Sequence, residues 1–290
     1  MVKPPSPFVD TDWLADQLSR PDICVVDGSW HLPNQNRDAG AEFLKNHIPG
    51  AVYFDLDVIA DTSVDLPHMV ASPDKFSRMV GALGIRESNI IVIYDSVGLF
   101  SAARVWWNFK IMGAKNCFVL EGGLPKWISE NRPLQRGANN SLAKPFDVNF
   151  QKDCIVDQAQ VSNLISSETD TIEQQIIDLR PQLRFAGLEG EPRPGLRSGS
   201  MPGSINLPFT DLIVDGHLID PDKLIARFLA AGIDLTKPVI ASCGSGVTAP
   251  ILCLALAQIG IDQMKIYDGS WAEWGMDNGL PVIGATGEFV

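Results

Sequence analysis

The residues best suited to chemistry are Cys243-Gly244-Ser245-Gly246-Val247-Thr248-Ala249. The apolar run Val239 to Ser242 before them predicts a buried strand, and Val247 to Ile259 after them predicts an apolar helix closed by Gly260. A cysteine at that junction suits nucleophilic sulfur chemistry. Two glycines let the loop curl until backbone N–H groups converge, and the helix N-terminus adds partial positive charge. Such a cradle favours a thiolate or a persulfide anion over the neutral thiol. The backbone at Gly244, Gly246, Val247 and Thr248 is expected to bind the sulfur-bearing group, and Ser245 to donate a hydrogen bond or relay a proton. Cysteine is also a small hydrophobe, which is the expectation for Cys253 inside the apolar helix. Cys243, placed before a Gly-Ser-Gly turn, has no packing advantage to explain it.

The strand and helix that must hold this loop recur along the chain. Ile23 to Val26, Ile90 to Tyr94 and Cys117 to Leu120 read as buried strands, with helices expected over Trp13 to Leu18, after Ser72-Pro73, and over Ser101 to Met112. Strands alternating with helices imply α/β architecture, a mainly parallel sheet with helices on both faces. Arg132 to Phe150, rich in Pro, Asn, Gly and Ser, reads as a linker, and then the programme repeats. Ile176-Ile177-Asp178 matches Val25-Val26-Asp27, Met201-Pro202-Gly203 matches Ile48-Pro49-Gly50, and Tyr267-Asp268-Gly269-Ser270-Trp271 matches Leu120-Glu121-Gly122-Gly123-Leu124. Motifs repeated in one order indicate a duplicated domain: residues 1–135, a linker over 136–151, and residues 152–290. In the first copy Asp95 stands where the second has Cys243, so only the second copy can carry a sulfur nucleophile.

The totals exclude several functions. The chain has 290 residues, 45% of them hydrophobic, and a net charge of −12 without a basic cluster, which argues against nucleic acid or anionic membrane as partner. Five cysteines, odd in number and mostly in apolar runs, suggest free thiols in a reducing cytoplasm. Four scattered histidines give no zinc pattern, and no apolar run reaches membrane-spanning length.

These motifs resemble the tandem-domain sulfurtransferases of the rhodanese superfamily. The resemblance rests on His47-Ile48-Pro49-Gly50, Tyr94-Asp95, the stretch from Asp178 to Gly203, the cysteine loop, and Tyr267 to Trp274. Gly244-Ser245 after the cysteine, in place of a basic pair, looks like the mercaptopyruvate branch, not the thiosulfate branch. The resemblance implies two rhodanese-like domains and sulfur transfer from 3-mercaptopyruvate through a Cys243 persulfide to a thiol such as thioredoxin, or to cyanide, with pyruvate released. It implies no metal and no organic cofactor, and a monomer is expected. Arg184 and Arg193 match the arginines that hold the donor's carboxylate and carbonyl, a task suited to a planar guanidinium. Ser245, His47 and Asp38 are implied as a proton relay. Arg180 and Arg197 are expected to be structural, and Trp271 and Trp274 to pack beneath the loop. Ser200 departs from the pattern, where a histidine commonly precedes the Pro-Gly turn.

Two other chemistries fit less well. A cysteine phosphatase needs an arginine six places after its cysteine, and that position is Ala249. A non-enzymatic sulfide carrier or binding module would not need the arginines around a retained cysteine. Thiosulfate remains the alternative donor.

Overall fold

The computed structural model describes residues 6–139, 141–167, 174–263 and 265–290. The chain forms two compact units: Met1–Val64, Val70–Lys152 and Asp215–His217 make the first, and Asp65–Met69, Asp153–Val214 and Leu218–Val290 the second.

In the first unit, β1 (Phe8–Val9), α1 (Thr11–Gln17), β2 (Ile23–Asp27), α2 (Ala39–Lys45), β3 (Val52–Tyr53), α3 (Pro73–Ala82), β4 (Ile90–Tyr94), α4 (Ala102–Ile111), β5 (Cys117–Leu120) and α5 (Gly123–Ser129) follow in order. Its sheet runs β1-β5-β4-β2-β3 with parallel pairing throughout. The second unit contains β6 (Ile155–Val156), α6 (Gln158–Ser166), β7 (Gln175–Asp178), α7 (Gln182–Phe185), β8 (Ile205–Asn206), α8 (Pro221–Ala230), β11 (Val239–Ser242), α9 (Pro250–Gln258), β12 (Ile266–Tyr267) and α10 (Ser270–Trp274). A small two-stranded sheet, β9 (Ile213–Val214) with β10 (His217–Leu218), precedes α8. The main sheet runs β6-β12-β11-β7-β8, again parallel, so its order repeats that of the first unit strand for strand.

Capping residues set the helix starts. Asp10, Ser72 and Asp157 each accept a backbone N–H from their helix, and Pro73 and Pro221 stand at the first turn, where a missing donor costs nothing. The continuous apolar strands β4 and β11 lie at the centre of their sheets with buried side chains, as parallel sheets require. Trp127 closes one core, and Trp271 and Trp274 the other, all fully buried. Each such ring contributes on the order of 5 kcal/mol of apolar burial, enough to hold the loop above it in place.

Two local expectations change. The apolar helix after the cysteine begins at Pro250, not Val247, and a proline suits that first turn because its missing N–H is not needed there. The described residues of the stretch expected as a linker belong to the first unit. Lys144 N–H bonds the Gly81 carbonyl, Asn149 that of Met112 and Gln151 that of Ile111, while Phe146 is buried against Phe76 and Phe109.

Candidate functional site

Strand register identifies the functional position. β2 pairs Asp27 with Tyr94, and β7 pairs Asp178 with Ser242, so the residues that follow, Asp95 and Cys243, occupy one place in the two copies. Both loops then run seven residues to a helix start, Ala102 in one and Pro250 in the other. Both dock in the same way: the Asp95 carbonyl accepts from Leu124 N–H at 3.0 Å, and the Cys243 carbonyl accepts from Trp271 N–H at 3.0 Å.

The first copy displays what such a loop does. The Asp95 carboxylate, 1% exposed, accepts four backbone N–H groups: Val97 (3.0 Å) and Gly98 (2.9 Å) on Oδ1, Phe100 (2.7 Å) and Ala102 (2.9 Å) on Oδ2. It is an anion cradle filled by its own side chain. Counted from the cysteine, the equivalent donors in the second copy are Ser245, Gly246 and Thr248, while the fourth position is Pro250 and carries no N–H. By this count Gly244 and Val247, expected from sequence among the binding residues, align with positions that do not donate to Asp95. Gly244 has a different part, described below, and Val247 is buried.

The cysteine loop is anchored from below. Cys243 N–H donates to Ser270 Oγ (3.2 Å), whose hydroxyl donates to the Tyr267 carbonyl (2.8 Å), and the Gly244 carbonyl accepts Ala272 N–H at 2.8 Å. Because a trans peptide points its C=O and N–H in opposite directions, carbonyls 243 and 244 turned toward α10 leave the N–H groups of Gly244 and Ser245 facing away from it. Trp271 and Trp274 pack beneath the loop and give their indole N–H groups to the carbonyls of Arg197 and Pro281. Cys243 is 2% exposed, so the folded chain covers the thiol almost completely.

Arg184, at the end of α7, reaches this loop. A β-carbon on Gly244 would meet its Nη2 at 3.2 Å, so the glycine leaves room for the cation beside the cysteine. Arg193 is half-buried on the following Gly/Pro-rich loop. Arg197 donates to the carbonyls of Leu280 and Trp274, a structural use. Arg180 is buried against Asp178; burial pushes its pKa down, and the Asp178 and Glu191 carboxylates outweigh this and hold it above the ordinary value.

Two of the expected relay residues, His47 and Asp38, lie in the first unit, where each has a local partner. His47 is 0% exposed in the core of the first unit, its Nδ1 donating to the Phe43 carbonyl (2.8 Å) and its ring stacked on Phe43 at 4.1 Å. Asp38 is the exposed N-cap of α2, its Oδ1 accepting Ala41 N–H at 2.9 Å. The histidine beside Ser245 is His68, which sequence reading passed over as one of four scattered histidines. Its Nδ1 donates to the Ser245 carbonyl at 3.2 Å, which leaves Nε2 with the lone pair when the ring is neutral. His68 itself has φ 60°, a left-handed conformation unusual for histidine. The only sequence signal was its place after Leu66-Pro67 in a polar turn.

A groove of about 760 Å³ runs beside α7, lined by Gln182, Phe185, Asn206 and Arg227, without Cys243 or Arg184 in its walls. Among the described residues no cluster of His, Cys, Asp or Glu could hold a metal ion, all five cysteines are free, and no helix is long and apolar enough to cross a membrane.

Comparison with known proteins finds the rhodanese-like domain twice, over residues 10–130 and 157–277. The chain is 40% identical over 276 residues to 3-mercaptopyruvate sulfurtransferase of Escherichia coli, covering 95% of this chain and 97% of that one. It is 36% identical to bovine thiosulfate sulfurtransferase, covering 92% and 91%. The crystal structure of SseA from Escherichia coli, a 3-mercaptopyruvate sulfotransferase, superposes with a TM-score of 0.84 at 37% identity, over 92% of this chain and all of that one.

Proposed function

This chain belongs to the rhodanese-like family, with two copies of the domain, and is a sulfurtransferase; from that premise we propose that its second copy moves sulfur from 3-mercaptopyruvate through a Cys243 persulfide to a thiol, and that its first copy is a non-catalytic partner. The observation that carries the reading is the pair of equal-length loops. One closes four N–H groups on a carboxylate, and the other presents a cysteine at the same place beside Arg184.

Cys243 thiolate attacks the donor's sulfur. The S–S bond forms as the C–S bond breaks, and the electron pair leaves on carbon as the pyruvate enolate, which takes a proton. That leaving group is tolerable because the adjacent carbonyl spreads its charge, so Arg184 and Arg193 act by holding the carboxylate and carbonyl in line. Ser245, Gly246 and Thr248 N–H groups stabilise the persulfide anion. His68 holds the loop through the Ser245 carbonyl. An acceptor thiol, such as that of thioredoxin, or cyanide then attacks the outer sulfur and restores the Cys243 thiolate, an exchange with ping-pong kinetics. No cofactor enters these steps. The unpaired cysteines fit a reducing cytoplasm, and we take the working form as a monomer.

The chain is 40% identical to a mercaptopyruvate relative and 36% identical to a thiosulfate relative. Gly244 favours the former, since a dianion such as thiosulfate benefits from a second cation beside the thiolate and a glycine supplies none. Mixing the protein with 3-mercaptopyruvate and no acceptor should add one sulfur atom to the peptide holding Cys243. No mass gain, or kcat/KM strongly favouring thiosulfate, overturns the reading.

A further inference from the structure

Behind Arg184 lies a run of buried charges that the steps above leave unused. Asp178 Oδ2, at the end of β7, accepts Arg180 Nε at 2.9 Å and Nη2 at 2.7 Å. Arg180, 1% exposed, lies over the Trp271 ring at 3.9 Å, gives Nη2 to the Gly199 carbonyl and gives Nη1 to Glu191 Oε1 at 2.7 Å. Glu191, its side chain 2% exposed, turns its other oxygen to Arg184 and accepts from Nε (3.1 Å) and from Nη2. The charges alternate from Asp178 through Arg180 and Glu191 to Arg184, and end beside Gly244.

The duplication separates this run from the requirements of the fold. Asp27 is the counterpart of Asp178, and its Oδ1 accepts Ser29 N–H at 2.9 Å just as Asp178 Oδ1 accepts Arg180 N–H at 2.9 Å. The backbone turn is therefore made without an arginine in the first copy. Only the cysteine-bearing copy adds the guanidinium, Glu191 and Arg184.

We propose that Glu191 is the positioning residue for donor capture, acting through Arg184; the inference rests on the sulfur-transfer reading. A guanidinium has five N–H donors. Glu191 engages Nε and one hydrogen of Nη2, leaving the Nη1 pair and the second Nη2 hydrogen, an end-on fork that matches a carboxylate. The long arginine stem is ordered before the donor arrives, so binding does not have to order it. Arg180 is spent on Asp178, Gly199 and Glu191, and serves to fix Glu191 in turn.

The test is a double-mutant cycle of Glu191→Gln and Arg184→Met, with each half-reaction measured separately. Glu191→Gln alone should lower kcat/KM for 3-mercaptopyruvate about 10- to 100-fold, mostly through KM, and leave kcat/KM for the acceptor thiol within about twofold. In the Arg184→Met background the same change should cost less than about twofold, because the residue it acts through is gone. Equal losses in both backgrounds, equal losses in both half-reactions, or an unaffected donor step overturn the proposal. Should Glu191→Gln fail to fold, Glu191→Asp, which keeps the charge on a shorter stem, takes its place in the cycle. Sulfur loading of wild-type Cys243 in the same assay reports separately on the underlying reading: loading with an additive cycle sinks only the role of Glu191.

Discussion

Arg184 stands so close to Gly244 that a β-carbon there would lie 3.2 Å from its guanidinium nitrogen. The residue after the cysteine therefore decides which cation the donor meets. Gly244→Arg brings a second guanidinium against the first, displacing Arg184 by volume and by like charge, and sets a cation beside the thiolate. The expected outcome is a loss of about tenfold or more in kcat/KM for 3-mercaptopyruvate and a rise for thiosulfate, whose charge meets the new cation beside the thiolate. A ratio of the two donors that does not move contradicts the role given to Gly244.

Cys243→Ser should abolish turnover and sulfur loading while melting as the wild type does, since the exchange is nearly isosteric and a hydroxyl is a poor nucleophile at neutral pH. Cys253 is the internal control. Burial pushes its thiol pKa well up, so it holds no thiolate at neutral pH. Cys253→Ala should keep full turnover and lose only about 1 kcal/mol of stability, measured by urea unfolding.

Periodicity reveals the two α/β copies because the buried strands are apolar runs and several helices open on a capping side chain or a proline. The cysteine loop is visible for the same reason: a reactive residue between a strand and a glycine-spaced turn is a local pattern. His68 is not, since it lies 177 residues from Ser245 and only the folded chain joins them. His47 drew attention through the His-Ile-Pro-Gly motif, yet Phe43 and Ile48 beside it already mark a core environment. Asp38, three residues before Ala41, serves as the N-cap of its helix. The ion pairs of Arg180 depend on a loop returning Glu191 to the strand end, which spacing alone does not report.

The His68 backbone is left-handed, a conformation asparagine tolerates and alanine does not. His68→Asn should therefore keep the melting temperature and lose about tenfold in donor kcat/KM as the Ser245 carbonyl loses its partner. His68→Ala should lose stability as well. Wild-type kinetics for His68→Asn would remove this histidine from the site.

Asp95→Asn tests the first copy as scaffold. The amide keeps one acceptor oxygen and replaces the other with a donor, so two of the four buried N–H groups lose their partner, at about 1–3 kcal/mol each. Urea unfolding should show a loss of about 2–6 kcal/mol in total, while kcat per folded molecule stays at the wild-type level. A variant as stable as the parent would mean that the loop finds other acceptors.

Asp27 and Asp178 occupy one place in the two copies and should respond to the same substitution in opposite ways. Asp178 faces Arg180 in a buried pair, and Asp178→Asn strands that guanidinium at a cost of about 3–5 kcal/mol. Asp27 has no arginine at the equivalent position. Burial pushes its pKa up, the hydrogen bonds from Ser29 and Tyr94 oppose this, and the nearby Asp95 charge adds to the rise. A carboxyl raised in the folded state contributes stability that is fully present below its unfolded value of about 3.9 and is lost as pH climbs through the raised value. Asp27→Asn cannot ionise and escapes that loss. Measured against wild type, the variant should gain in relative stability as pH rises above the unfolded value of about 3.9; a difference that stays flat there would show that Asp27 ionises in the fold as easily as in the unfolded chain.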